Sequence, residues 1–431
     1  MMPIVDAGSG AQPTGKVARP LVAKLVAMML LEFAVFGSWF ATLGLVLSTH
    51  GAASVIGQAY FLSAIAAIVS PLFMGAVGDR FLAPRNLLSL LHLASAAIIT
   101  AIPSALQGGD LTLTLVLIFC NMLFFQPTLG MVNAIALVEL GEHQRIFPYI
   151  RVFGPLGWAL AGICVGALGL SSSTGVFYFA AASSTALALV AQTLPKRPPP
   201  SVDSHFSLGD LVGARAFVLF RNRGFAVLMF CALLTSISLG IYNTFASPYL
   251  AALGIKNVAG VLAMGQLSEL VFIVTIPFAL SRIGMKWSLL LGMGLWGVRF
   301  ALFILAAHGL LGAAYLSVIM HGICSDYFIV VAAMFIARCA TPDLAAQAQS
   351  WLVLMISGFG AAIGSASSGK IFAAFVAPNA ASGAVAWTPL LLLPLCLGAI
   401  TCAVWIVLFP SARNSEADSV RPTAPLGGAG C

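Results

Sequence analysis

The chain has 431 residues, of which 60% are hydrophobic and only 8% charged, with a formal charge of +7. That is too little charge to cover a soluble globule of this size, so composition excludes a water-soluble domain. Apolar runs near 20 residues, joined by short polar connections, point to helical membrane spans; barrel strands would show ten-residue dyad alternation instead.

The pattern predicts an all-α polytopic membrane protein with twelve transmembrane helices, at about 21–48, 54–77, 86–106, 111–136, 147–170, 174–194, 224–252, 258–281, 287–307, 309–337, 347–376 and 386–409. The first twenty residues are polar and the apolar stretch after them is too long for a signal-peptide core, so it reads as a retained first span. With the N-terminus in the cytoplasm, sixteen of the twenty Lys and Arg fall in cytoplasmic segments. Only Lys256 lies in an outer loop, and Arg151, Arg299 and Lys370 lie within spans. The positive-inside rule then places both termini in the cytoplasm. Because the charges alternate between connections, they make no nucleic-acid surface. The eight cysteines show neither CxxC nor His-paired spacing, so no disulfide, metal or cofactor site is expected.

The longest polar connection, Pro195 to Arg223, divides the chain six plus six: an N-terminal bundle (1–194), a linker (195–223), a C-terminal bundle (224–410) and a tail (411–431). Within the linker, Leu208 to Phe220 mixes apolar residues with Asp210 and Arg215, and two readings stand: a helix on the membrane surface or a solvated connection. The halves echo one another. Pro71-Leu-Phe-Met-Gly-Ala-Val-Gly-Asp79-Arg80, then Arg85, joins spans two and three; Pro277-Phe-Ala-Leu-Ser-Arg282, then Lys286, joins spans eight and nine. Such pseudo-repeats accompany two bundles that rock about a midplane site.

Five ionisable residues lie deep in spans: Glu32, Arg151, Glu269, Arg299 and Asp326. An acid at a helix centre costs roughly 2.5 to 3.5 kcal/mol on insertion scales, so such residues are functional candidates by default. Burial favours neutral carboxyls whereas Arg stays protonated, so among three acids and two arginines at least one acid is a natural proton carrier. Gln266 and Glu269 share a face of span eight. Arg151, Pro155 and Trp158 share one in span five, where a ligand and an arginine snorkelling to the cytoplasm are equally good readings. Glu32, Phe36 and Trp39 form a third face, in which Glu32 is either a proton site or a structural ion-pair partner. In span seven the stripe Ser236, Gly240, Asn243 and Ser247 reads as packing, with Asn243 the ligand candidate. Span ten carries Ser317, His321, Ser325 and Asp326; Asp326 is the stronger candidate, and His321 is either a relay or a hydrogen-bonded structural residue. Arg299 has two candidate partners, Asp326 and Glu269. Carboxylates and amides beside Phe36, Trp39, Phe153 and Trp158 suit a neutral solute with hydroxyls and a planar ring.

Several motifs occur together: Gly37-Ser-Trp39 with Thr42-Leu-Gly44; Pro127-Thr-Leu-Gly130 with Asn133; Phe147-Pro148 with Ile150-Arg151 and Gly154; Ala216-Phe217 with Leu219-Phe220; Gln266 with Ser268-Glu269; Ile276-Pro277 with Leu280-Ser-Arg282; Arg299-Phe-Ala-Leu-Phe303; and Gly358-Phe-Gly360 with Ser368-Gly-Lys370. In these the chain resembles the bacterial nucleoside:proton symporters of the major facilitator superfamily. The resemblance implies a monomeric twelve-helix transporter of the inner membrane, in two six-helix bundles, that takes up nucleosides with protons as the coupling ion and has no enzymatic activity. The family's site falls on Arg151, Asn243, Gln266, Glu269 and Asp326. The count of buried charges makes Glu269, Asp326 and Glu32 the proton-coupling candidates, and Phe36, Trp39, Phe153, His321 and Ser325 stand as further lining. Departures occur where better-known members carry other residues: a threonine is Pro155, a glutamine is Gly240, a tyrosine is His321, a phenylalanine is Ser325 and a span-one glutamine is Glu32. They leave open a second reading, a major facilitator carrier of another neutral solute such as a sugar, a modified nucleoside or a drug, working inward or outward.

Overall fold

A computed structural model describes residues 18–197, 214–341 and 344–410. The expected surface helix therefore lies outside the described residues over 208–213. From Ala214 to Arg221 it is a 3-10 helix, with Ala216 buried and the Phe217 ring 4.7 Å from that of Trp351.

All regular structure among the described residues is helical. The first half comprises α1 (Arg19–Trp39), α2 (Leu43–Thr49), α3 (Ile56–Phe81), α4 (Pro84–Gln107), α5 (Leu111–Leu140), α6 (Phe147–Arg151), α7 (Phe153–Ala167) and α8 (Gly175–Gln192). The second comprises α9 (Arg223–Ala252), α10 (Val258–Phe272), α11 (Ile276–Arg282), α12 (Gly284–Ala307), α13 (Leu311–Ile319), α14 (His321–Ser325), α15 (Val331–Cys339), α16 (Ala345–Val353), α17 (Ala361–Ile371) and α18 (Thr388–Leu408). Each of the twelve apolar stretches falls on helical chain, with ends within four residues of those expected. Local chemistry sets the boundaries. Asp110, Asn222 and Asn257 cap α5, α9 and α10 by accepting the N–H of Leu113, Phe225 and Gly260, which satisfies donors the helix cannot. Gly109 (φ 74°) and Gly309 (φ 105°) make the tight turns after α4 and α12 in a conformation that costs glycine little.

Packing repeats between the halves. In the first, α1 lies on α7 and α8, α4 on α5 and α8, and α3 on α5; in the second, α9 lies on α17 and α18, α12 on α13 and α18, and α10 on α14. Across the halves, α2 meets α9, α3 meets α17 and α7 meets α10. The Leu45 N–H donates to Ser247 Oγ at 3.2 Å and the Ala259 N–H to Ser171 Oγ at 3.2 Å. Close approach depends on absent side chains: a Cβ on Gly57 would lie 2.7 Å from Gly369 Cα, and one on Gly37 2.8 Å from Trp158 Cα. Small residues let membrane helices approach where no hydrophobic force drives them together.

Three interruptions bear on the site. Between α1 and α2 the helix breaks at Phe40 to Thr42, where the Tyr60 hydroxyl donates to the Phe40 carbonyl at 2.7 Å. Between α6 and α7 it breaks at Val152, and Pro155 has no N–H to offer the Arg151 carbonyl. Between α14 and α15, Asp326–Val330 form a π-helical turn, a feature frequent at functional sites.

Gly37→Leu is expected to cost about 1–3 kcal/mol through overpacking of α1 on α7. Gly312→Ala, on a helical position with nothing within 4 Å of the added Cβ, should be neutral or gain up to about 1 kcal/mol. Thermal unfolding of the purified variants checks both.

Candidate functional site

A cavity partly open to solvent, with about 400 Å³ of empty space counting its open mouth, lies between the halves, lined by Phe40, Ala41 and Trp158 from the first and by Tyr242, Asn243, Ala246, Leu262, Gln266 and His321 from the second. The interruption after α1 supplies Phe40 and Ala41. Phe36 stands behind the wall, its ring 4.8 Å from Trp158 and 4.3 Å from Phe40. The lining thus combines aromatic faces with two amides and an imidazole, groups that stack on a planar ring and hydrogen-bond to its edge and to hydroxyls.

Behind the cavity, α10, α12 and α14 carry a connected set of polar groups. Gln266 Nε2 lies 3.4 Å from Glu269 Oε1, and the same oxygen lies 3.2 Å from His321 Nε2. His321 Nδ1 lies 3.0 Å from an Arg299 Nη1 that is fully buried. Of the two candidate partners for Arg299, Glu269 is therefore the one it meets, and only through His321. Asp326 is buried at the head of the π turn, within electrostatic range of Glu269; its Oδ2 has no hydrogen-bond partner among the described residues. Arg151 lies within electrostatic range of Glu269 and Glu32, its guanidinium 4.5 Å from the Phe33 ring. The structure thus brings Gln266, Glu269, His321 and Asp326 together, with Asn243 on the cavity wall and Arg151 facing them from the other half.

Other candidates sit elsewhere. Trp39 is buried against Phe40 and Phe177, away from the cavity, because the face it shares with Glu32 turns into the first half. Phe153 packs with the cluster around Leu25 and Ile150. Ser325 is buried beside Asp326. Gly240 faces α17, where a Cβ would come within 3.0 Å of the Ala361 backbone, in keeping with the packing reading of its stripe.

Glu32 meets a residue that the sequence does not single out. Its carboxylate is fully buried, 2.9 Å from His92 Nε2, and accepts from the Thr128 hydroxyl at 2.7 Å. The Ser184 hydroxyl donates to the His92 carbonyl at 3.0 Å, so its oxygen accepts from His92 Nδ1 at 2.9 Å. One proton is left between Nε2 and Oε2, and the pair is neutral overall whichever atom holds it. Glu32 is balanced in place, leaving Glu269 and Asp326 to face Arg151 and Arg299. The sequence reading also passes over the lining residues Phe40, Ala41, Tyr242, Ala246 and Leu262; for Tyr242, the spacing with Ala246 and Tyr249 at i, i+4, i+7 is the signal that marks its face.

A family model described as nucleoside H+ symporter matches residues 20–414. The chain belongs to the nucleoside H+ symporter family. The putative nucleoside transporter YegT of Escherichia coli (strain K12) is 33% identical over 353 residues, covering 79% of this chain and 82% of YegT. Xanthosine permease of the same strain is 31% identical over 367 residues, 81% of this chain and 87% of the permease. The crystal structure of the nucleoside transporter NupG matches with a TM-score of 0.79 at 27% identity, over 91% of this chain and 99% of that one. The protein is accordingly an all-α, multi-pass membrane transporter of the major facilitator type, with protons as the coupling ion.

In this symporter the Glu32–His92 pair joins α1, α4, α5 and α8 at one buried point. Removing one partner of a buried pair strands the other. His92→Leu should therefore destabilise the protein by about 3–5 kcal/mol. Glu32→Gln, whose amide can still bond to both neighbours, should cost about 1 kcal/mol. Thermal unfolding in detergent distinguishes the two.

Proposed function

We propose that this chain takes up nucleosides together with protons across the bacterial inner membrane by alternating access. It does so as twelve membrane-spanning helices in two six-helix bundles (1–194 and 224–410), joined by the linker 195–223, with both termini cytoplasmic. The observation that carries the proposal is the placement of an aromatic and amide-lined cavity against two acids, the partly buried Glu269 and the buried Asp326, that have no arginine in salt-bridge contact among the described residues. The repeated packing of helices in the two halves supports two bundles. Ten helical runs among the described residues are long and apolar enough to cross a membrane, and two of them, of 57 and 64 residues, each have the length for two crossings of about 20 residues.

Trp158, Phe40 and Tyr242 offer faces to the base, and Asn243, Gln266 and Arg151 hydrogen-bond to base edge and ribose. Glu269 and Asp326 share the coupling proton: two carboxylates in one desolvated site repel, and a single proton between them relieves that cost. Glu32 contributes no exchangeable proton, because its pair with His92 is closed off from the cavity.

The contacts between halves support an inward-facing state. Leu45 with Ser247, Ala259 with Ser171 and Gly57 with Gly369 all lie at ends that charge distribution assigns to the outside. At the opposite ends of the same helical runs, Tyr149 and Val274 are 75% and 73% exposed. Rocking of the bundles would break the first set of contacts and bury the second.

Proteoliposomes containing the protein should accumulate radiolabelled uridine and adenosine when an inward proton gradient is imposed, and a protonophore should abolish accumulation. Glu269→Gln and Asp326→Asn should each lose accumulation while retaining exchange of internal for external nucleoside. Accumulation indifferent to the gradient would refute symport; displacement of uridine by sugars but not by other nucleosides would reassign the substrate.

A further inference from the structure

Arg299 is fully buried and makes no ion pair with a carboxylate among the described residues. Its Nε–H donates to the Ser317 carbonyl at 2.7 Å, and the Ser317 hydroxyl donates back to the Arg299 carbonyl at 3.0 Å, so α12 and α13 are tied in both directions. The guanidinium carbon lies 4.2 Å from the centre of the Tyr242 ring and 4.5 Å from that of Trp296. Two aromatic faces and two polar contacts leave the guanidinium little freedom to turn away from His321, whose ring is itself held, stacked on Tyr242 at 5.4 Å and edge-on to Trp296 at 5.7 Å.

A guanidinium has donors and no acceptor, and remains protonated in proteins. The Arg299 nitrogen 3.0 Å from His321 Nδ1 must therefore be donating, and Nδ1 must be accepting with no proton of its own. That excludes the imidazolium, in which both nitrogens donate, and also the tautomer protonated at Nδ1. The state left is a neutral ring with its proton on Nε2, the atom 3.2 Å from Glu269 Oε1.

We infer that Arg299 is a positioning residue that locks His321 as a neutral, fixed Nε2–H donor at the cavity edge, so that His321 is not one of the proton carriers. The lock has two consequences, which rest on the proposed transport function. Glu269 Oε1 acts as an acceptor, so a proton on Glu269 resides on Oε2, because a proton on Oε1 would set two hydrogens against each other. When Glu269 turns away, the Nε2–H is left without an acceptor beside Gln266 and Asn243. It then selects a substrate edge that accepts, either a carbonyl oxygen or an unprotonated ring nitrogen of a base.

The titratable and charged groups around His321 are Arg299 from α12, Glu269 from α10, Tyr242 from α9, and Cys324 and Asp326 along its own stretch. Arg151 faces the cluster from the other half, within electrostatic range of Glu269; of the two cations, Arg299 is the one that meets Nδ1.

The test uses the full chain, labelled with 15N in its histidine rings and held in lipid nanodiscs, with the His321 signals identified by their loss in His321→Gln. Between pH 5 and 8, about the range in which an ordinary imidazole titrates, His321 should show one protonated and one bare nitrogen throughout. In Arg299→Met, where no fixed donor meets Nδ1, an Nδ1–H or imidazolium signal should appear as the pH falls, and uptake should gain a matching acid limb that the unaltered protein lacks. His321→Phe, with no donor, should raise the KM for uridine by about five- to tenfold, the size of one hydrogen bond. His321→Gln, which restores a donor but cannot titrate, should recover most of that loss and leave the pH profile in place. An imidazolium or an Nδ1–H signal in the unaltered protein would overturn the inference, even if Arg299→Met fails to fold. So would loss of gradient-driven accumulation in His321→Gln with exchange intact, since that would make His321 a carrier. Failure of the protein to carry nucleosides would refute the transport reading while leaving the ring signals to decide the lock.

Discussion

Glu32 and Arg299 are both fully buried, one in each half of the chain, and each is met by groups from other helices. A charge in hydrocarbon without such partners costs several kcal/mol, so the helices must arrive in the one register that brings the partners together. His92, Thr128 and Ser184 come to Glu32 from α4, α5 and α8; Ser317, His321, Tyr242 and Trp296 gather around Arg299 from α9, α12, α13 and α14. These two points hold the interiors of the halves in place, and the cavity lies between them.

The two points differ in what they leave over. Around Glu32 each hydrogen-bonding group has a partner, and the network closes on itself. Around Arg299 the chain of contacts runs outward through His321 to Glu269 and ends beside Asp326, one of whose oxygens has no partner among the described residues. A closed network in a low-dielectric interior rigidifies, whereas an incomplete one stores the capacity to bind a proton or a solute. The first half therefore supplies an aromatic wall on a rigid base, and the second supplies the groups that change partners.

Helix interruptions put these groups where they act. Breaking a helix inside a membrane exposes backbone groups that lipid cannot satisfy, so breaks occur where protein or a cavity takes them up. Phe40 and Ala41 reach the cavity from the gap after α1, with the Tyr60 hydroxyl taking the Phe40 carbonyl. Asp326 opens a π turn, and Arg151 closes α6 one turn before a proline.

Hydropathy located the helical stretches, and the cost of intramembrane charge singled out Glu32, Arg151, Glu269, Arg299 and Asp326. Both signals live in single residues and their nearest neighbours, and helical periodicity likewise paired Gln266 with Glu269 from spacing alone. Motifs spread along the chain were enough to suggest the family. Partnership between helices was a different matter. Nothing local distinguishes His92 from a histidine on any apolar helix, and nothing local says that Arg299 meets Glu269 through an imidazole and not directly, or that Trp39 turns into the core while Tyr242 turns to the cavity. Those outcomes depend on the rotation and register of one helix against another. They are set by contacts such as Gly37 on Trp158 and Gly57 on Gly369, between residues far apart in sequence, and so only the tertiary structure decides them.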